Sequence, residues 1–316
     1  MAMEALEGIY VIVSTPFDER GRLDEESFAT LLDATVGAGV QGVTILGVAG
    51  EAQRLSDAER DRLLARAMQA IGGRVPVIVG ASHDGTDVTI ERTRAAAQAG
   101  AAGVMIAPPA FGKVGKGLIE HYRRIGAEGG LPIVLQDYPP VNGVTMSPQF
   151  MAELVAAVPE VATIKLEDPP TALRMRQTRA LGAERITFQG GLSGLYLLDE
   201  LRAGASGAMT GFPYPEVLLE IWQSFRAGDE ERAAATYYRH LPLILLDGQP
   251  GLGVAARKEI LVRRGQIRTA TVRQPGLGLD ERAKRDLHAL LDHLELDARY
   301  PGVTKPERAT AVVGKA

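Results

Sequence analysis

Lys165 and Glu167 stand two residues apart at the end of the run Val161-Ala162-Thr163-Ile164-Lys165, and together they are the residues of this chain best suited to carbonyl chemistry. An apolar, β-branched run of this kind reads as a buried parallel strand. An ammonium at the end of such a strand loses hydration, so its pKa falls from roughly 10.4 and part of it becomes a nucleophilic amine. Amines of that kind form Schiff bases with carbonyl substrates. Lys165 is also the only lysine between Lys116 and Lys258 in a chain that otherwise draws its positive charge from arginine, which cannot form an imine. Side chains two apart on a strand share a face, so Glu167 stands one step nearer the open end and can serve as general base. Two blander readings stand beside this one. The lysine can snorkel to water, or the two residues can form a buried ion pair, which is costly unless well hydrogen-bonded.

Other polar residues fall at the ends of the remaining β-rich runs. Gln136 closes the fifth run, and Gly50 with Glu51 follows the second. His83 and Asp84 follow the third, Gly190-Gly191 the seventh, and Met209 lies in the eighth. Gln136 and the backbone near Gly50 and Gly190 are expected to orient a substrate carboxylate and its polar tail. The Gly190-Gly191 pair can instead mark a tight turn. Glu51 reads as a helix-start cap or scaffold anchor at the substrate end rather than as a catalyst. His83 can polarise a substrate hydroxyl, but one histidine with no second at ligand spacing is more often structural. Tyr237, Tyr238 and Trp222 sit at helical spacing and read as core or subunit contacts.

The elements that must hold these residues alternate. Strands are predicted at Ile9–Ser14, Val43–Leu46, Val75–Val79, Val104–Ile106, Ile133–Gln136, Val161–Lys165, Thr187–Gln189 and Gly207–Met209. Helical patterns lie between them, over Asp24–Ala38, Asp57–Ala70, Thr86–Ala99, Lys116–Glu128, Ser147–Val158, Thr171–Leu181, Ser193–Ala203 and Tyr214–Arg226. Ser56 before Glu59, and Ser147 before Pro148, are helix starts; Gly39, Gly72, Gly100 and Gly182 are stops. Strict alternation of eight strands with eight helices predicts a (β/α)8 TIM barrel over residues 1–226, with a doubly wound sheet as the alternative. Three further helices, Asp229–Leu246, Leu252–Arg264 and Asp280–Leu296, form a C-terminal extension over 227–300, and 301–316 reads as a polar tail.

Composition bounds the function. The 316 residues carry a net charge of −4 with both signs interspersed, so neither nucleic acid nor a membrane surface is a favoured partner. With no cysteine and five scattered histidines, thiolate metal sites and cysteine nucleophiles are excluded and a metal centre built on His83 and Asp137 is poorly supported. No secretory signal and no apolar run of 18 or more residues is visible, so a cytoplasmic protein is expected.

Several motifs carry a resemblance. Thr15-Pro16-Phe17 after the first strand, Gly-x-x-Gly-Glu over Gly47–Glu51, and Ile164-Lys165 on the sixth strand resemble the dihydrodipicolinate synthase/N-acetylneuraminate lyase family. The likeness runs from about Ile9 to Ile267 and includes the closing helix around Arg257–Gly265. It implies a class I lyase barrel, a homotetramer in most members, that needs no cofactor. It also implies that Lys165 forms an imine with a 2-oxo acid such as pyruvate. The family's proton relay of three hydroxyls falls on Gln136, Val48 and Ala110; another hydroxyl is lost at Ala49, and the arginine expected after the fifth strand falls on Val141. These departures remove the relay and the bidentate carboxylate clamp, which argues against lysine biosynthesis.

Gln136–Pro139, Lys165 with Glu167, Gly207–Gly211, Pro108–Gly112 and His83 are similar to the 2-keto-3-deoxyarabonate dehydratase branch of that family, whereas Val48–Glu51 and Asp247–Gly253 depart from it. In that branch a carboxylate beside the lysine replaces tyrosine as acid and base. The expected activity is dehydration of a 2-keto-3-deoxy sugar acid. Retro-aldol cleavage to pyruvate and an aldehyde is the first alternative, and a non-catalytic 2-oxo-acid-binding homologue the second.

Overall fold

The computed structural model describes residues 6–110 and 113–301. Eight parallel strands close into a barrel in sequence order. They are β1 (Gly8–Ile12), β2 (Gly42–Ile45), β3 (Val77–Gly80), β4 (Gly103–Ile106), β5 (Ile133–Asp137), β6 (Val161–Leu166), β7 (Thr187–Gly190) and β8 (Gly207–Thr210). Around them run α1 (Glu25–Gly37), α2 (Asp57–Ile71), α3 (Thr86–Gln98), α4 (Lys116–Gly129), α5 (Pro139–Asn142) and α6 (Pro148–Ala157). These are followed by α7 (Thr171–Ala180), α8 (Leu197–Arg202) and α9 (Pro215–Arg226). The (β/α)8 TIM barrel is therefore closed, and the doubly wound alternative falls away. Beyond it lie α10 (Glu230–Asp247), α11 (Gly253–Arg263), α12 (Glu281–His293) and the one-turn α13 (Leu296–Arg299).

Local chemistry sets these boundaries. At α2, the Ser56 hydroxyl accepts from the Glu59 amide while the Glu59 carboxylate accepts from the Ser56 amide, a complete capping box. Ser147 caps α6, with Pro148 in the first turn where its missing N–H costs nothing. β3 begins two residues later than Val75, because Pro76 cannot donate to a ladder. The helix expected from Ser193 begins only at Leu197. Leu192 and Ser193 take left-handed backbone (φ 48 and 60), so the chain first makes a tight 3-10 turn over Leu192–Gly194. Residues 302–316, most of the expected tail, lie outside the described residues, as do Phe111 and Gly112.

Strand alternation separates two cores. Ile9, Val11, Val43, Ile45, Ile164 and Leu166 face outward and pack under the helices. Leu6, Tyr10, Ile12, Ile78, Met105, Val134 and Met209 fill the barrel interior. Each such side chain taken out of water contributes roughly 1.5–3 kcal/mol before chain entropy is counted. Gly42 has no side chain because the Tyr10 ring occupies that space: a Cβ there would meet the ring at 2.2 Å. A packed interior below leaves only the C-terminal ends of the strands for chemistry.

Candidate active site

β6 delivers Lys165 and Glu167 to the barrel mouth on one face, and Lys165 sits in register with Gln136 on β5 and Gln189 on β7. Lys165 is 1% exposed and Glu167 6%. The Lys165 ammonium touches Glu167 Oε2 directly. Gln136 Nε2 donates to that same oxygen at 2.8 Å, and the Leu192 amide donates to Oε1 at 3.3 Å. The carboxylate is thus held from both sides. Burial lowers the pKa of Lys165 below the ordinary lysine value, and the charge and hydrogen bond of Glu167 oppose that fall. The amine and the carboxylate stand a single contact apart, within reach of direct proton transfer.

Two glycines make the arrangement sterically feasible. A Cβ at Gly191 would lie 2.4 Å from Glu167 Cγ and Oε1, and one at Gly190 would lie 1.9 Å from Glu200 Oε2. Gly190 and Gly191 therefore serve the close approach of two carboxyl groups. Glu200, from α8, is buried behind the strand end, and burial pushes its pKa up to about 8, with Thr171 and Lys165 opposing. Burial thus favours its protonated form.

A cavity of about 230 Å³ opens above the lysine. Lys165, Glu167, Gln136, Val48, Ala49, Tyr138, Thr210, Ser193, Asp247 and Arg257 are among the residues that line it. The amides of Val48 and Ala49 lead a 3-10 turn, where the first N–H groups have no acceptor inside the helix. Gly50 itself is buried just behind: its amide is spent on Gly47 O at 3.0 Å, and its carbonyl accepts from the Thr15 hydroxyl at 2.6 Å. Glu51 is fully buried, ion-paired with Lys258 and Arg54, and accepts from the Arg273 amide at 3.0 Å. It ties the second loop to α11 and to the segment before α12, away from the cavity lining. Met209 is fully buried in the barrel interior, beneath the cavity rather than on its wall.

His83 is exposed and accepts from the Gly85 amide through Nδ1 at 2.9 Å. It lines a neighbouring cavity of about 560 Å³, to which Val48, Gln136, Ala110 and Val141 also contribute. Asp137 points outward to Arg174 at 3.0 Å, and burial pushes its pKa up to about 7. His83 and Asp137 thus have different surroundings, and no metal-holding group of three or more acidic, His or Cys side chains exists among the described residues.

Tyr138, Ser193, Asp247 and Arg257 are site residues that motif reading passes over. Tyr138 continues the inward parity of Gln136, and burial raises its pKa. Arg257 lies on the buried face of α11 with Leu261 and Arg264. A guanidinium at a core position of an amphipathic helix is the available sequence signal for it.

A closed (β/α)8 barrel with a buried lysine and carboxylate in contact at the floor of its mouth cavity has the frame of a class I lyase. The chain belongs to the dihydrodipicolinate synthetase family, whose sequence profile matches residues 5–294. Members of that family are class I lyases acting on small molecules. The chain is 33% identical over 293 residues to an L-2-keto-3-deoxyarabonate dehydratase of Azospirillum brasilense, covering 91% of this chain and 94% of that protein. It is 39% identical over 207 residues to a 4-hydroxy-tetrahydrodipicolinate synthase of Stenotrophomonas maltophilia (strain R551-3), covering 65% of this chain and 69% of that one. The crystal structure of the Rhodopseudomonas palustris dihydrodipicolinate synthase superposes with a TM-score of 0.87 at 32% identity, over 92% of this chain and 99% of that one. No helix among the described residues is long and apolar enough to cross a membrane.

Proposed function

We propose that the protein is a Schiff-base lyase that dehydrates a 2-keto-3-deoxy sugar acid. The observation that carries the reading is the direct contact of buried Lys165 with Glu167 at the cavity floor. Glu167 takes a proton from the Lys165 ammonium, and the free amine adds to C2 of the 2-oxo acid. Glu167 returns that proton to the carbinolamine hydroxyl, which leaves as water, and the protonated imine that remains acidifies the C3 hydrogens. Glu167 removes one of them to give an enamine. The enamine expels the C4 hydroxyl, which leaves as water with the proton Glu167 returns, and hydrolysis of the unsaturated imine frees the lysine. The Val48 and Ala49 amides receive the C1 carboxylate, while Gln136 fixes the Glu167 oxygen that carries the proton.

Elimination is favoured over retro-aldol cleavage and over dihydrodipicolinate synthesis because one carboxylate performs both proton transfers. The relay hydroxyls that the other reactions use are replaced by Gln136, Val48 and Ala110. The likeness to an L-2-keto-3-deoxyarabonate dehydratase over nine-tenths of the chain supports the same choice. A homo-oligomer is part of the reading, on family grounds.

Pyruvate with borohydride is expected to add mass to the peptide containing Lys165, and Lys165→Ala to abolish the label. A panel of 2-keto-3-deoxy acids should yield turnover, whereas pyruvate with aspartate semialdehyde should yield very little. Labelling at another residue, or a kcat/KM near 10⁴ M⁻¹s⁻¹ or above with aspartate semialdehyde, would overturn the assignment.

A further inference from the structure

We propose that Arg257 reads a second carboxylate at the far end of the substrate, so that the preferred substrates are 2-oxo dicarboxylic acids. The inference rests on the imine reading above and extends it to a second residue that lines the same cavity. Arg257 is 6% exposed and lines the cavity shared with Lys165. Asp247 accepts from its Nε at 3.1 Å and from its Nη2 at 2.7 Å, and the Ser193 hydroxyl braces Asp247 Oδ2 at 2.5 Å. Only one edge of the guanidinium fork is thereby used. Nη1 donates to no acceptor among the described residues and lies against Gly211, where a Cβ would meet it at 2.5 Å. The glycine admits the guanidinium there, since any side chain would collide with it.

The charges around the cavity point the same way. Its two lining carboxylates are already committed, Glu167 to Lys165 and Asp247 to Arg257. Arg54 also lines the cavity, and the carboxylate it pairs with, Glu51, is shared with Lys258. The reading above seats the C1 carboxylate at the Val48 and Ala49 amides, which leaves Arg257 for the other end of the substrate. β7 alone separates β6, which bears Lys165, from β8, which ends beside Arg257. That is two strand spacings, roughly 10 Å, across which a five- or six-carbon chain reaches from an imine carbon to a guanidinium. For a neutral hydroxyl, a Ser or Asn would serve without a buried charge; a braced, half-used guanidinium matches a carboxylate.

The test uses 2-oxoglutarate and 2-oxopentanoate, which have the same carbon chain and differ in the second carboxylate. The readout is the concentration of each that half-saturates borohydride trapping at Lys165 in the full-length protein. The wild type is expected to trap 2-oxoglutarate at a roughly 10- to 100-fold lower concentration, the worth of one charge-assisted hydrogen-bonded pair. Arg257→Gln should bring that ratio close to one. The double variant Asp247→Asn/Arg257→Gln should do the same without leaving an unpaired buried aspartate, and pyruvate trapping reports whether each variant retains its site. Equal half-saturation in the wild type, or an undiminished ratio in both variants, overturns the proposal while pyruvate trapping leaves the imine reading standing. Absence of pyruvate labelling at Lys165 in the wild type overturns both.

Discussion

Glu167 is asked to do three things at the residue scale: pair with the ammonium, receive its proton, and later move a proton between C3 and the leaving hydroxyl. Its surroundings suit that sequence, because Gln136 and the Leu192 amide hold the carboxylate whether or not the lysine is charged. Glu167→Gln keeps the size and most of the hydrogen bonding but removes proton transfer. Imine trapping at Lys165 is therefore expected to persist while turnover falls by roughly 10²–10⁴-fold. Measuring both on the same variant separates the roles. Near-normal turnover would reduce Glu167 to the lysine's ion-pair partner, and the acid/base role would then pass to bound water or to Tyr138 on the same cavity wall.

At the scale of elements, the end of β7 is where backbone and chemistry constrain each other most tightly. Gly191 has a negative φ of −140, so no left-handed backbone demands glycine there, and the collision of a Cβ with Glu167 is the steric reason for it. Gly191→Ala is expected to push Glu167 off the lysine and lower kcat strongly with little loss of Tm. Gly37→Ala in α1, where a Cβ meets nothing within 4 Å, should leave kcat unaltered and raise stability by about 0.5–1 kcal/mol. Equal kinetics for the two variants would remove the steric argument. The glycines were visible in the sequence, but Glu200, the carboxyl group that Gly190 accommodates, was not, since it approaches from α8, a helix that starts four residues later than its sequence pattern suggests. Strands, most helices, Lys165 and Glu167 were legible because period and parity are local. Arg257 and Asp247 were not, because they meet the site only through the packing of α10 and α11 against the barrel. Gln136 was legible as a site residue, yet its amide is directed at Glu167, a pairing that depends on strand register rather than on strand identity.

The whole molecule behaves as one unit because the C-terminal helices and the segment between them close the mouth. Lys258 reaches Glu51 beneath the second loop, and Arg273 binds the Gly21 carbonyl and both oxygens of Glu59 while stacking on Phe17 at 4.3 Å. Titratable groups held by the fold have opposite consequences for stability. Arg273 holds Glu59 down at about 2, so its contribution is present above the ordinary glutamate range and is lost as pH falls toward 2. Glu200, raised to about 8, and Asp137, raised to about 7, work in the other direction. Between about pH 4.3, where an unfolded glutamate titrates, and pH 8, native Glu200 keeps a proton that the unfolded chain has released. The unfolding free energy therefore falls as pH rises through this window, by at most about 1.4 kcal/mol per pH unit for each such group. Buried His121, held down at about 4, opposes this below about pH 6.5, so thermal melts of the wild type should show Tm declining from about pH 6.5 to pH 8. Glu200→Gln stays neutral throughout, so its decline should be shallower and its Tm at pH 8 higher than that of the wild type. Parallel slopes for the two proteins would mean that Glu200 is already ionised in the native state, with Lys165 rather than burial governing its charge.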